Sequence, residues 1–140
     1  MEIYDLGAPD QAESADLINL STRGEVGTGD NVLIGGIIVG GDAAQSVLVR
    51  AIGPDLAKAG VAGALQNPTL DLYNSNGTVI ASNDNWRSDQ QAAITASGLA
   101  PKDDRDSAIL VTLLPTSYTA IVRGKNNSTG IALVEFYKIQ

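Results

Sequence analysis

The stretch Pro68-Thr-Leu-Asp-Leu-Tyr-Asn-Ser-Asn-Gly-Thr-Val-Ile-Ala-Ser82 predicts two antiparallel strands. Apolar and polar residues alternate in its first half, which places Leu70 and Leu72 on one face of a strand. The pair Asn76-Gly77 favours the positive φ values of a tight hairpin turn, and Thr78–Ser82 is the returning strand. This segment therefore predicts a β-sheet with one face against a core.

Short apolar runs separated by turn residues continue along the chain, roughly every eight to twelve residues, which is typical of a β-sandwich. Gly35-Gly36 interrupts one run and predicts a bulge or a close backbone approach. Helical turns are predicted at Asp55–Ala59 and around Asp89–Ser97, the second with Ser88 as N-cap. We therefore predict an all-β, jelly-roll-like antiparallel sandwich of about eight to ten strands in sequence-local pairs. Its other strands are Leu17–Arg23, Asn31–Val39, Ser46–Ile52 (a central strand), Asp106–Leu114, Ser117–Arg123 and Thr129–Ile139.

Composition excludes several classes of function. The 140 residues carry a net charge of −7 with nine Lys and Arg, which argues against nucleic acid or an anionic membrane surface as a partner. No apolar run approaches the roughly 20 residues that span a bilayer, so membrane insertion is not expected. The absence of His and Cys excludes serine and cysteine triads and histidine-based zinc sites.

The beginning of the chain repeats its last strand. Glu2–Leu6 matches Glu135–Ile139 position by position: acid, large apolar residue, Tyr, charge, large apolar residue. The match predicts that residues 1–6 are a strand from a preceding module or one used for exchange, that 7–16 are a linker, and that 17–140 are the sandwich domain. The alternative is that two edge strands share a common composition.

A tandem or exchanged strand implies self-assembly by strand addition, in which an extended segment completes the hydrogen bonding of an exposed sheet edge. Head-to-tail contacts of this kind propagate into filaments or tubes when they do not close. Alternation puts Tyr4 and Leu6 on one face of the first strand, and we expect them to be its anchors. The predicted assembly residues are Ile3, Tyr4 and Leu6 in the first strand and Phe136, Tyr137 and Ile139 in the last.

Acidic residues concentrate at the two ends of the longest polar segment. Their oxygens would suit Ca²⁺ if the ends converge, although the spacing is not that of an EF-hand. The alternative is structural, with turn-forming residues and ion pairs. A catalytic carboxylate pair is the remaining enzymatic possibility, and we expect no enzyme. The candidate ligands are Asn83, Asp84, Asn85, Asp103, Asp104 and Asp106.

Three further residues have both a functional and a structural interpretation. Trp86, the one tryptophan, lies in the polar segment, where it would either stack on a sugar ring or pack over the end of the sandwich. Arg50 and Arg123 lie within apolar strands, and a buried Arg needs a carboxylate partner. We expect both to form structural ion pairs, with Asp84 and Asp106 as the partners.

Two resemblances extend this interpretation. Asn19–Gly36, Val47–Pro54 and Tyr118–Gly124 resemble a repeated module of large secreted and cell-surface bacterial proteins. The second half is similar to bacterial pre-peptidase C-terminal domains, through Leu70–Tyr73, Ile80–Asp84 and the Tyr118 strand, although Thr116-Ser117 stands where that pattern has a Gly. The resemblance implies a non-catalytic accessory domain of jelly-roll type.

We therefore expect an extracellular or cell-surface structural module that links to copies of itself. The alternative is an accessory module that binds polysaccharide or another ligand, with or without Ca²⁺. A hydrolase is a remote third possibility.

Overall fold

The computed structural model describes residues 2–6 and 19–139, and the side chains of residues 20–139. Nine strands form two packed sheets: sheet A, in the order β1-β3-β8-β5-β6, and sheet B, in the order β2-β9-β4-β7. The strands are β1 (Glu2–Leu6), β2 (Asn19–Val26), β3 (Leu33–Val39), β4 (Gln45–Ile52), β5 (Pro68–Tyr73), β6 (Val79–Asn83), β7 (Ser107–Leu113), β8 (Ser117–Gly124) and β9 (Gly130–Ile139). Two short helices, α1 (Pro54–Lys58) and α2 (Gln91–Ala96), and a 3-10 turn at Lys125–Asn127 complete the described elements.

The predicted all-β sandwich is confirmed, and its strand and helix positions match the expectation to within a few residues. The predicted pairing of neighbours in sequence is wrong for most strands. Among the described strands, β5 and β6 are the consecutive pair that forms a hairpin, whereas β3 and β4, like β7 and β8, lie in different sheets. The connections at residues 40–44 and 114–116 cross between the sheets, so they resemble hairpin turns in sequence without being hairpins.

The core lies between the two sheets and follows the alternation of each strand. Leu70 and Leu72 are fully buried in it, as predicted, and they face Val47, Val49 and Phe136 of sheet B. Burying apolar area of this kind contributes roughly 25 cal/mol per Å².

The outer face of sheet B is covered by the loop of residues 84–106, which contains α2. Ile94 of α2 and Trp86 pack with Leu48 and Ala108 in a second, smaller apolar cluster. The strand β4 is therefore buried on both faces, which explains its continuous apolar sequence. The predicted N-cap at Ser88 is wrong: α2 begins after Gln90 without a side-chain cap.

Of the two predictions for Gly35-Gly36, Gly35 makes the close backbone approach. The β3–β8 pairing has no register shift there, so no bulge forms. A Cβ at Gly35 would lie 2.9 Å from Cγ1 of Val134 and 3.1 Å from Cε2 of Phe136, both on β9 of the opposite sheet. The glycine therefore allows β3 to pack close to the centre of sheet B.

Candidate functional site

The first strand lies at the end of sheet A, and β3 is its one neighbour in that sheet. The two strands are parallel, with Glu2 beside Gly35 and Leu6 beside Val39. All the other strand pairs described are antiparallel. Without β1, the other eight strands would keep their pairing. The strand β1 is thus an addition to eight strands that pair among themselves, and without it β3 would be the edge of sheet A.

The register relates β1 to the core of the acceptor strand. Tyr4 is aligned with Ile37, and Leu6 with Val39; the side chains of Ile37 and Val39 are buried between the sheets. Ile3 is aligned with Gly36. The prediction that Tyr4 and Leu6 anchor the strand concerns contacts outside the described side chains, and it remains a prediction.

The edge of β3 has the composition of an interior strand. Its sequence, Leu33-Ile-Gly-Gly-Ile-Ile-Val39, contains no charged residue and no Pro. Proteins use charge, Pro, short length or a cover to stop an exposed strand from pairing with another chain. The edge strand β2 carries Arg23 and Glu25, and the edge strand β6 has only five residues. The β3 edge has none of these features except the cover that β1 provides.

The last strand occupies a different position from the first one, although their sequences match. β9 lies inside sheet B between β2 and β4, and both of its edges are paired. Phe136 is buried in the core, whereas Tyr137 and Ile139 pack against the smaller apolar cluster on the outer face. These three residues therefore stabilise the described sandwich rather than forming an open edge.

The two ends of the polar loop do meet, as the calcium hypothesis required, but through their backbone. The N–H of Trp86 donates to the carbonyl of Asp106 at 2.9 Å, and the Ser107 hydroxyl donates to the carbonyl of Asp84 at 2.7 Å. Asn83 lies beside this contact, and its side-chain oxygen accepts from the N–H of Ala108 at 3.0 Å. Asn85 accepts hydrogen bonds from Asn83 and Ser88 through its backbone carbonyl.

The carboxylates of the loop have separate partners. Asp84 pairs with Lys125 at 2.6 Å and Asp104 with Arg87 at 2.5 Å. Asp103 contacts both Arg105 and Lys58, and the hydrogen bond from Arg105 holds its pKa well below the usual range. Within the described part of the chain, no three acidic side chains form a group that could hold a metal ion. Calcium binding therefore stays a prediction, without a preformed set of acidic ligands.

Asp106 is fully buried, and it lies beside the beginning of α1 rather than beside the arginine that was predicted as its partner. One of its oxygens accepts from the N–H of Gly53 at 2.9 Å, whereas its Oδ2, like Oδ1 of Asp55, is buried without a hydrogen-bond partner among the described residues. Burial, reinforced by Asp55, raises the pKa of Asp106 to about 8. The negative charge of Asp55 nearby disfavours the charged form of Asp106, because like charges repel. The hydrogen bond from Gly53 joins the beginning of α1 to the start of β7.

Trp86 is buried, with 3% of its surface exposed. Its ring lies against Leu48 and Ile94, and the Arg87 guanidinium stacks over it at 4.4 Å from the ring centre. The structural interpretation, a residue that packs over the sandwich, fits this geometry. The ring has no exposed face on which a sugar could stack, so Trp86 in this position does not support the carbohydrate hypothesis.

Both arginines form ion pairs, but the predicted partners are wrong. Arg50 donates to Glu135 from Nε at 3.0 Å and from Nη2 at 2.5 Å, and also to the Leu99 carbonyl and the Tyr137 hydroxyl. Arg123 donates to Asp71 at 3.1 Å on the outer face of sheet A. Glu135 is the direct neighbour of Arg50 across the β4–β9 pair, and this register was not available from the sequence.

The comparisons with known proteins support the fold. No protein-family model matches the chain, and no curated protein matches it. Among solved structures, it is similar to the pre-peptidase C-terminal domain of a collagenase from Bacillus anthracis. The TM-score is 0.50 and the identity 11%, over 96% of this chain and 94% of that one. The chain thus has the β-sandwich fold of a pre-peptidase C-terminal domain, and this likeness concerns the fold alone.

Proposed function

We propose that this protein is a non-catalytic, extracellular structural module that links copies of itself by adding β1 of one copy to the β3 edge of the next. The observation that carries the proposal is the parallel pairing of β1 with β3 at the end of sheet A. The backbone hydrogen bonds of that pairing are the same whether the strand comes from the same chain or from another copy.

The position of the two strand ends supports exchange. Leu6 is beside Val39, and Asn19 is beside Tyr137; both lie at the end of the sandwich where residues 40–44 connect the sheets. Facing sheets are about 10 Å apart, whereas the twelve residues 7–18 could extend to about 40 Å. The connection is therefore long enough to serve a strand docked on its own sheet or on a neighbouring molecule.

One cleft of the described structure, about 650 Å³ at one end of the sandwich, has Glu25 as its one ionisable residue and otherwise small, polar and aliphatic side chains. Among residues 2–6 and 19–139, no helix is long and apolar enough to cross a lipid bilayer. The extracellular location rests on the resemblance to modules of secreted proteins.

Cysteine cross-linking tests the proposal, because the chain has no cysteine of its own. Asp5 and Ile38 are register neighbours, and Ile38 is exposed. One batch of protein carries Asp5→Cys and another carries Ile38→Cys. After mixing at high concentration and mild oxidation, we expect a disulfide between the two variants and, by light scattering and negative-stain microscopy, chains of wild-type copies.

Two controls make the result specific. Asp5→Cys mixed with Ser82→Cys, on the far edge of sheet A, should give no defined cross-link. Tyr4→Asp combined with Leu6→Asp should abolish both the cross-link and the assembly, whereas Asp5→Lys should not. If mixed single variants never cross-link, while Asp5→Cys and Ile38→Cys in one chain form an internal disulfide, β1 docks only on its own sheet and the proposal fails.

A further inference from the structure

The strand β7 forms an edge of sheet B, with β4 as its one neighbour in that sheet. Its sequence, Ser107-Ala-Ile-Leu-Val-Thr-Leu113, has no charged residue and no Pro. In an antiparallel pair, alternate residues turn their N–H and C=O groups away from the partner strand. An edge of this composition is a template for pairing with another chain unless something covers it.

Two side-chain amides bind the outward backbone groups of β7. Gln90 donates from Nε2 to the carbonyl of Leu110 at 2.7 Å, and its Oε1 accepts from the N–H of Leu110 at 2.9 Å. Asn83 accepts from the N–H of Ala108 at 3.0 Å. Because Ala108 and Leu110 are two residues apart, they are successive outward positions of one edge. The reciprocal contact of Gln90 is the one that a residue of a neighbouring strand would make.

Gln90 is held in place by the helix that follows it. Its carbonyl accepts from the N–H of Ile94 at 2.9 Å, and Ile94 is fully buried in the cluster with Trp86. Gln90 occupies the N-cap position of α2, yet its side chain makes no capping bond to the helix. Its amide is used for β7 instead. A groove of about 330 Å³ between β6 and β7 is lined by Gln90 and Asp89.

We infer that Gln90, with Asn83, acts as a surrogate strand that closes the β7 edge against a second copy of this chain. The consequence for assembly rests on the proposed function: strand addition is directed to the β3 edge of sheet A because the comparable edge of sheet B is already bonded. The closure of β7 itself does not depend on that function.

The test uses the full chain with Gln90→Met, which keeps a similar length but removes both hydrogen bonds. Its control is Gln91→Ala, at the exposed neighbouring position. Amide hydrogen exchange should show about tenfold faster exchange at Leu110, which corresponds to the loss of one hydrogen bond, and no change in the control. The variant should also assemble when β1 is blocked by Tyr4→Asp with Leu6→Asp, whereas the same blocked chain with Gln90 intact stays monomeric.

The outcomes separate the two proposals. If the Gln90→Met chain associates while the wild type never does so through β1, the closure of β7 stands and the proposed function fails. If the Gln90→Met chain is folded, with unchanged exchange at Leu110 and no association, the inference is overturned. Should Gln90→Met not fold, Gln90→Ala serves instead, because it removes both hydrogen bonds without adding a charge to the edge. This variant should then associate with faster exchange at Leu110, and its remaining monomeric would overturn the inference.

Discussion

Replacing Asp106 with Asn should remove most of the pH dependence of stability between pH 5 and 8. Asp106 is fully buried, and burial raises its pKa to about 8 from a usual value near 3.8. The charged groups that act on it are Asp55 and Lys58 of α1 and Asp103 and Arg105 of its own loop. An Asn can still accept from the Gly53 N–H, and it carries no charge at any pH.

The sign follows from proton linkage. Between the unfolded pKa near 3.8 and the folded pKa of about 8, the folded state holds a proton that the unfolded state releases. Stability is therefore greatest at the acid end of this range and falls as the pH rises, by up to about 1.4 kcal/mol per unit. Over the three units from pH 5 to 8, the free energy of unfolding should fall by about 2–4 kcal/mol. The chain contains no His, whose usual pKa lies in this range.

Urea unfolding followed by tryptophan fluorescence provides the assay, because Trp86 is the one tryptophan and is buried. The matched control is Asp104→Asn, at an exposed position paired with Arg87. Wild type and Asp104→Asn should lose stability between pH 5 and 8, and Asp106→Asn should lose much less. Equal slopes in all three proteins would refute the raised pKa of Asp106 and the role of burial in raising it.

Two further predictions concern packing and calcium. Gly35→Ala should lower the free energy of unfolding by about 1–3 kcal/mol, because the new methyl group meets Val134 and Phe136 within about 3 Å; Ile34→Val, on the other face of β3, should cost less, and equal losses in urea unfolding would contradict the close approach. Asp84→Ala should lower the melting temperature by only a few degrees, since its partner Lys125 is half-exposed, and the decrease should be the same in chelator. A melting temperature that rises with added Ca²⁺ in the wild type, but not in Asp84→Ala, would show instead that this loop binds calcium.

The sequence predicted the positions of the strands well, but it predicted poorly which strands pair with one another. Alternation identified Leu70 and Leu72 as buried, and the continuous apolar run of β4 identified a central strand, because burial is encoded locally. Pairing depends on which turns close a hairpin and which cross between sheets, and the residues of 40–44 and 114–116 carry no local signal for that choice. The hairpin at Asn74–Gly77 could be recognised because the pair Asn76-Gly77 is a local turn signal, and Gly77 does adopt a φ of +80°.

In the candidate site, too, the contacts of individual residues depend on the fold and could not be predicted from the sequence. Arg50 needed a carboxylate, as desolvation predicts, but Glu135 could be named only once the β4–β9 register was known. Trp86 and Gln90 lie in a polar loop without periodicity, so neither the burial of the indole nor the contact of the amide with β7 leaves a sequence pattern. The match to Glu135–Ile139 did indicate a strand at Glu2–Leu6, whereas its parallel pairing with β3 depends on the whole sandwich.

The edges of the two sheets give the proposed assembly its direction. The donor β1 and the acceptor β3 are different surfaces, so contact between copies is heterologous and continues unless the rotation closes a ring. Docking within a chain and docking between chains form the same backbone bonds, so the difference in free energy between them arises mainly from the connection. Tethering a strand through a short linker holds it near its own edge at an effective concentration in the millimolar range. Exchange therefore becomes favourable where copies are crowded or joined in series, which is the situation of modules at a cell surface.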